Sequence, residues 1–476
     1  MNVVPRRPLF YQPRRSNIYR VFVLLLMVLG ALWFWQLTRR GAIRNPFLPT
    51  PTPTRTAQSY LLEGETYFTA GYLEAAITAY REAARLEPEN AQIWAQLARI
   101  QAYSSNSLTT DYERSERLKQ ALESANQAVA LAPDDSNAHA IRAFVLDWNA
   151  TAALTTADER ASLLLQAEQA ATRALQLDSQ NALAMAFYAE ILIDQQKWSQ
   201  AEQVIQQALE RQPDLLDVQR VYAYVLESTM RYEQAIQAYQ RALELAPNLT
   251  FLYISIGANY RRLALDVPAD PAYDRERALL YEQAITYFAR AADINKQLQI
   301  KDPVPYIAIA KAYSQQGDFF AAALNIRKAL EFDPTNADLY GQLGIIYQRA
   351  RNYESAIPAL QCALRGCDPE TSCQARFVRS CREGEGVTVT GLPLSPGTVD
   401  YYLVYGSVLA ALSRPEQNYC PEAVSVLEEL LAAYGDNPII AQNAGVGLEI
   451  CRSLAESARQ PPTPYLTPTP LPTPRP

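Results

Sequence analysis

A 34-residue period runs through the body of the chain and constrains its fold more than any other feature. Residues 182–215 and 216–249 are consecutive units without a gap, ending KWSQAEQVIQQALERQPDL and RYEQAIQAYQRALELAPNL. The same ending recurs as GYLEAAITAYREAARLEPEN from Gly71, RLKQALESANQAVALAPDDS from Arg117 and GDFFAAALNIRKALEFDPTN from Gly317. A period of this size belongs to stacked supersecondary units, each burying its apolar face on the next.

The recurring residues carry their own reasons. Gly64, Ala98, Ala143, Ala189, Ala223, Gly257, Ala310 and Gly344 occupy the eighth place, where two helices must approach closely. Ala76, Ala121, Ala167, Ala201, Ala235, Ala284, Ala322 and Ala356 do the same on the second helix. Tyr67, Trp94, Tyr239, Tyr313 and Tyr347 supply bulk around these contacts. Pro88, Pro133, Pro213, Pro247 and Pro334 end the second helix, because proline cannot continue the hydrogen-bond ladder. This pattern closely resembles the tetratricopeptide repeat (TPR) family. The resemblance implies an all-α TPR solenoid over 57–458, with units at 57–90, 91–135, 136–181, 182–215, 216–249, 250–298, 303–336 and 337–370. A degenerate ninth unit (399–437) and a capping helix (438–458) follow. Ser179 and Lys296 stand where proline is expected and loosen their junctions.

Three units are too long, and the excess falls between helix A and helix B each time, at 104–114, 149–161 and 263–277. Thr110-x-x-Glu113 and Thr156-x-x-Glu159 read as capping boxes, and Asp270-Pro271 as an N-cap followed by proline. Helix B is therefore expected to be one to two turns longer in these units.

The ends are of another kind. Residues 21–38 form an uncharged run, VFVLLLMVLGALWFWQLT, about 27 Å long as a helix. Trp33-Phe34-Trp35 and Arg39-Arg40 follow its core where a cleavage site would need small residues, so an uncleaved transmembrane anchor is expected. Residues 1–20 read as a basic cytoplasmic tail, 39–56 as a Thr/Pro-rich linker and 459–476 as a Thr/Pro-rich disordered tail. Residues 1–56 hold nine arginines and no Asp, Glu or Lys, and Arg475 is the one charge after residue 460. Taken from the formal −7, these leave the body at −17. An acidic body argues against nucleic acid as principal ligand, and its carboxylates are expected on solvated helix faces.

The chain has six cysteines and one histidine, His139, expected at a packing position. Cys420 and Cys451 fall at neighbouring ends of antiparallel helices, where a disulfide is reasonable. Cys362, Cys367, Cys373 and Cys381 lie in or beside the insert 365–398 and allow three pairings, or a four-cysteine zinc site whose spacing lacks paired CxxC knuckles. Six cysteines, an even number clustered late in the chain, suit an oxidising compartment, so the solenoid is expected outside the cytoplasm and the N-terminus inside. No Walker loop, GxGxxG, GxSxG or HExxH is present. No cofactor, metal or catalytic residue is assigned, and the chain is not expected to be an enzyme.

By the family's pattern, the second, fifth, ninth and twelfth places of helix A line a concave groove for partner peptides. Carried onto this sequence, these are Arg99, Phe144, Glu190, Arg220, Tyr224, Phe251, Ile254, Arg261, Ile307 and Lys311. The Lys/Asn pair with which some members clamp a carboxylate is in no unit. The resemblance implies a membrane-anchored scaffold for a protein or peptide partner; a structural envelope spacer and a glycan-binding solenoid are the alternatives. The oligomeric state is open.

Overall fold

The computed structural model describes residues 17–39, 55–376, 381–382 and 384–459. The predicted tails and most of the linker lie outside these residues. The chain divides into two units, 1–56 and 57–476. The first contributes one helix, α1 (Ile18–Arg39), whose stretch Ile18–Leu37 is long and apolar enough to cross a membrane, with none of its apolar window buried by the protein.

The second unit is a run of antiparallel helix pairs. The first three pairs are α2 (Ala57–Thr69) with α3 (Leu73–Leu86), α4 (Ala91–Ser105) with α5 (Asp111–Leu131), and α6 (Ser136–Ala150) with α7 (Ala157–Leu177). Next come α8 (Ala182–Asp194) with α9 (Trp198–Arg211), α10 (Leu216–Ser228) with α11 (Tyr232–Leu245), and α12 (Thr250–Asp266) with α13 (Asp274–Gln297). Then come α14 (Val304–Gln316) with α15 (Phe319–Phe332) and α16 (Ala337–Arg349) with α17 (Tyr353–Leu364). The short α18 (Pro369–Arg376) precedes α19 (Val399–Leu412), α20 (Cys420–Tyr434) and the terminal α21 (Pro438–Arg459). The eighth-place small residues do what their size suggests. A Cβ added at Gly64 would lie 2.5 Å from the Tyr80 ring, and one at Gly257 2.5 Å from Phe288.

Helix B is longer in the three long units. Helices α5 and α7 have 21 residues, about two turns more than the 14 of α9 and α11. Helix α13 has 24, nearly three turns more and beyond the one to two expected. Both capping boxes form, at Thr110/Glu113 and Thr156/Glu159. Asp270 caps a 3-10 turn, Pro271–Tyr273, that leads into α13, because proline at its first position suits the tighter turn.

Two periodic devices were not visible as sequence identities. The fifteenth place, in the A–B turn, has positive φ in every short unit: Gly71 (83°), Gln196 (62°), Met230 (60°), Gly317 (86°) and Arg351 (59°). The fourth place of helix A binds the carbonyl of the proline that ends the preceding helix B. Trp94 Nε1 donates to Pro88 O (2.9 Å), Tyr253 OH to Pro247 O (2.9 Å) and Tyr340 OH to Pro334 O (3.0 Å). His139 Nε2 and Gln219 Nε2 meet Pro133 O and Pro213 O in the same way. Each bond satisfies a helix-terminal carbonyl that has no partner in its own ladder. Five residues of four types share one role, which fixes His139 as a packing residue. Where Ser179 replaces the proline, the fourth place is Met185, which has no such donor.

The core is not continuous. One cluster runs through the first six units and another through the last three, bridged by Ala264, Tyr281, Phe288, Ile309 and Ala312. This seam sits at the junction where Lys296 stands in place of proline. At the far end α21 buries Ile440, Ala444 and Cys451 but leaves Ile439, Val446 and Ile450 exposed. Three disulfides secure the last part: Cys420–Cys451 (Cα–Cα 5.4 Å), Cys362–Cys367 (4.7 Å) and Cys373–Cys381 (5.9 Å). Of the three pairings open to the insert cysteines, the sequential one is formed, so they make two separate bridges and not one tetrahedral cluster.

Candidate functional site

The A helices line the concave face, and its two halves differ. In the first half the solenoid curls until unit 2 meets unit 5 across the groove. Arg99 Nη2 on α4 pairs with Asp217 Oδ2 on α10 at 2.6 Å, 118 residues away, and Tyr103 OH donates to the other oxygen of Asp217. Arg220 grips Glu190 through both terminal nitrogens, each at 2.6 Å, while its Nε donates to Tyr103 OH at 3.0 Å. Trp148 Nε1 donates to Glu190 at 3.1 Å. The Tyr103 ring stacks on Phe251, and Phe144 stacks on Phe187. Backbone contacts extend the closure: Asn248 donates to Ala70 O at 3.1 Å and Thr109 to Lys301 O at 2.7 Å.

Four predicted groove residues are therefore taken up inside the protein. Arg99 (8% exposed), Phe144 (0%), Glu190 (5%) and Arg220 (5%) face other repeats, adjacent or across the groove, and not solvent. Tyr103, Asp217 and Trp148 complete the cluster and were not singled out from sequence. The available signal was the alternation of sign at groove places, Arg99 and Arg220 against Glu190 and Asp217. The expectation that the carboxylates are solvated fails here, because these buried acids are neutralised by buried arginines. Burial opposes the charge of Asp217, but Arg99 and Arg220 outweigh it and hold its carboxyl below the usual range.

Asp147 is the exception. It is buried on α6, and neither carboxylate oxygen has a hydrogen-bond donor. Burial first, then the charges of Asp194 and Glu190, push its carboxyl well above the usual range. Asp194, also raised by burial, accepts from Tyr224 OH at 2.6 Å. Burial and the neighbouring acids therefore favour the neutral form of Asp147. A cavity of about 560 Å³ opens beside this cluster, bounded by Trp148, Tyr224, Phe251, Ile254 and Asp302 among others. Thus Tyr224, Phe251 and Ile254 keep partial access to solvent space.

In the second half the concave face stays open. A groove of about 680 Å³ runs across α14, α16 and α19, and includes Arg261 and Lys311 from the predicted set. Ile307 instead packs against the core of the last units. The sequence reading did not name Ile345, Arg349, Tyr401, Leu403 and Val404, or the acids Asp338 and Asp400, which also line it. The signals were there, since Asp338 and Asp400 occupy the second place of their units.

Tetratricopeptide-repeat family models match residues 57–100, 189–250, 305–336 and 326–357. The chain is a tetratricopeptide-repeat protein. Among solved structures, this TPR chain resembles the human IFIT1 dimer with m7Gppp-AAAA, at 17% identity and a TM-score of 0.51, covering 87% of this chain and 92% of that one. The human IFIT1 dimer with PPP-AAAA gives 16% identity and 0.51, covering 88% and 94%. A thermophilic TPR protein of Thermus thermophilus is 20% identical over 43% of this chain and 98% of its own, with a TM-score of 0.35. At these identities the likeness shows the TPR fold alone. No curated protein matches the chain.

Proposed function

We propose that the protein is a membrane-anchored scaffold that binds protein partners in the open half of its concave face, on the extracytoplasmic side. The observation that carries this reading is the contrast between the two halves. The first spends its charged and aromatic groups on itself, whereas Arg261, Lys311 and Arg349 in the second make no ion pair among the described residues. The exposed apolar helix α1 supports anchoring, and three disulfides support an oxidising compartment. The role is binding without catalysis, and the partner is protein, because the body carries −17 and the buried arginines of the first half are neutralised.

Proximity labelling in the native cell, with a tag at each end in turn, tests topology and partners together. The C-terminal tag is expected to label extracytoplasmic proteins, and Ile345→Glu in the groove is expected to remove a subset of them. Labelling confined to cytoplasmic proteins overturns the orientation, and an unchanged set with Ile345→Glu overturns the groove.

A further inference from the structure

Four of the charges of the open groove, Asp338, Asp400, Arg261 and Arg349, are sorted to its two rims. Asp338 and Asp400 lie in the first turns of α16 and α19, and both are exposed. Arg349 lies in the last turn of α16 and Arg261 five residues before the end of α12, while Lys311 sits midway along α14, at the same place in its unit as Ile345. Asp338 and Asp400 in first turns and Arg349 in a last turn each favour their own helix dipole. Because the A helices of successive units run parallel, these local preferences add up to one acidic rim and one basic rim. Asp338 and Arg349 are eleven residues apart on one helix, about 16 Å. Between the rims lie the half-buried apolar side chains of Ile345, Leu403 and Val404.

The bases have no competing acid. Arg261 and Arg349 reach only the neutral Gln315 and Ser314, each at 3.4 Å, and Lys311 is exposed without a carboxylate partner among the described residues. On the acidic rim Asp338 accepts from Tyr401 OH at 2.8 Å and from Gln342 at 2.7 Å, so it is held in place but not neutralised.

Resting on the scaffold reading above, we propose that this groove receives an amphipathic α-helix with one acidic edge, one basic edge and an apolar stripe between them. A helix with side chains is about 10–12 Å across and fits between rims of this separation. The apolar stripe meets Ile345, Leu403 and Val404, the acidic edge meets Arg261 and Arg349 with the long Lys311 side chain reaching it from the floor, and the basic edge meets Asp338 and Asp400. An extended strand, with side chains alternating to opposite faces, would not offer both edges and the floor at once.

The test uses the full chain in nanodiscs of a zwitterionic lipid, with empty nanodiscs as control. Four synthetic 18-residue helical peptides share a Leu stripe and differ at their edges: Glu on one and Lys on the other, Glu on both, Lys on both, or Gln on both. Turning a helix end for end exchanges its edges, so the informative controls are the single-sign peptides. By fluorescence anisotropy, the mixed-edge peptide is expected to bind about tenfold tighter than any other. Lys311→Glu with Arg349→Glu should move that preference to the all-Lys peptide. Both positions are exposed, and the helical dichroism of the variant should be unchanged. Equal binding of the four, binding by none, or a preference unmoved by the double substitution overturns the proposal. If these outcomes coincide with partners that still depend on Ile345, the helix chemistry fails and the scaffold reading stands.

Discussion

At the scale of single residues, two buried carboxyls give the first half opposite responses to pH. Asp217 is held low by Arg99 and Arg220, so its contribution is present above the ordinary carboxylate range and is lost as pH falls through its depressed value. Asp147 is held high by burial and by Asp194 and Glu190. Its contribution is complete below the ordinary range and disappears as pH rises through its raised value. Asp147→Asn keeps the size and removes the carboxyl whose charged form burial and the neighbouring acids disfavour. The variant is expected to be more stable than the parent by about 1–3 kcal/mol above the raised titration, and close to it near pH 4. Urea unfolding across pH checks this, and an equal gain at every pH would show that Asp147 does not titrate in the fold.

At the scale of elements, the helix pairs were legible because small residues, prolines and capping boxes are chemical signals tied to fixed places. The A–B turn was only half legible. Gly71 and Gly317 announce a left-handed residue, but Gln196, Met230 and Arg351 adopt the same φ without glycine. The turn geometry imposed by the two packed helices overrides the local preference of these side chains. Met230 is 75% exposed and supports no contact that would be lost. Met230→Gly is expected to relieve the left-handed strain, offset in part by the entropy of glycine, for a net gain of about 0.5–1 kcal/mol. A rise in thermal midpoint checks it, and a fall would mean that Met230 packs more than its exposure indicates. The fourth-place bond to proline was illegible for a different reason: Trp, His, Gln and Tyr share a donor at one reach, not an identity.

At the scale of the whole solenoid, the sequence predicted a continuous groove and the structure divides it. A repeat array has only neighbour contacts until its curvature brings distant units together, and the alternation of sign at the groove places does not say which units meet. Here the buried acid Asp217 is a central tie of that meeting, joining unit 5 to Arg99 and Tyr103 of unit 2. Asp217→Asn leaves Arg99 buried beside a neutral group, a loss of about 3–5 kcal/mol for breaking a buried ion pair. Glu202→Gln is the matched control, since its pair with Arg231 is about two-fifths exposed and joins adjacent repeats; it should cost less than about 1 kcal/mol. The two variants should also differ in shape. Loss of the cross-groove tie lets units 1–2 swing away while each repeat keeps its neighbours. Asp217→Asn is therefore expected to raise the radius of gyration in solution scattering at unchanged helical dichroism, and Glu202→Gln is not. A radius unchanged in both would mean that the stacked Tyr103–Phe251 rings and the backbone contacts at Ala70 and Lys301 hold the closure without the ion pair.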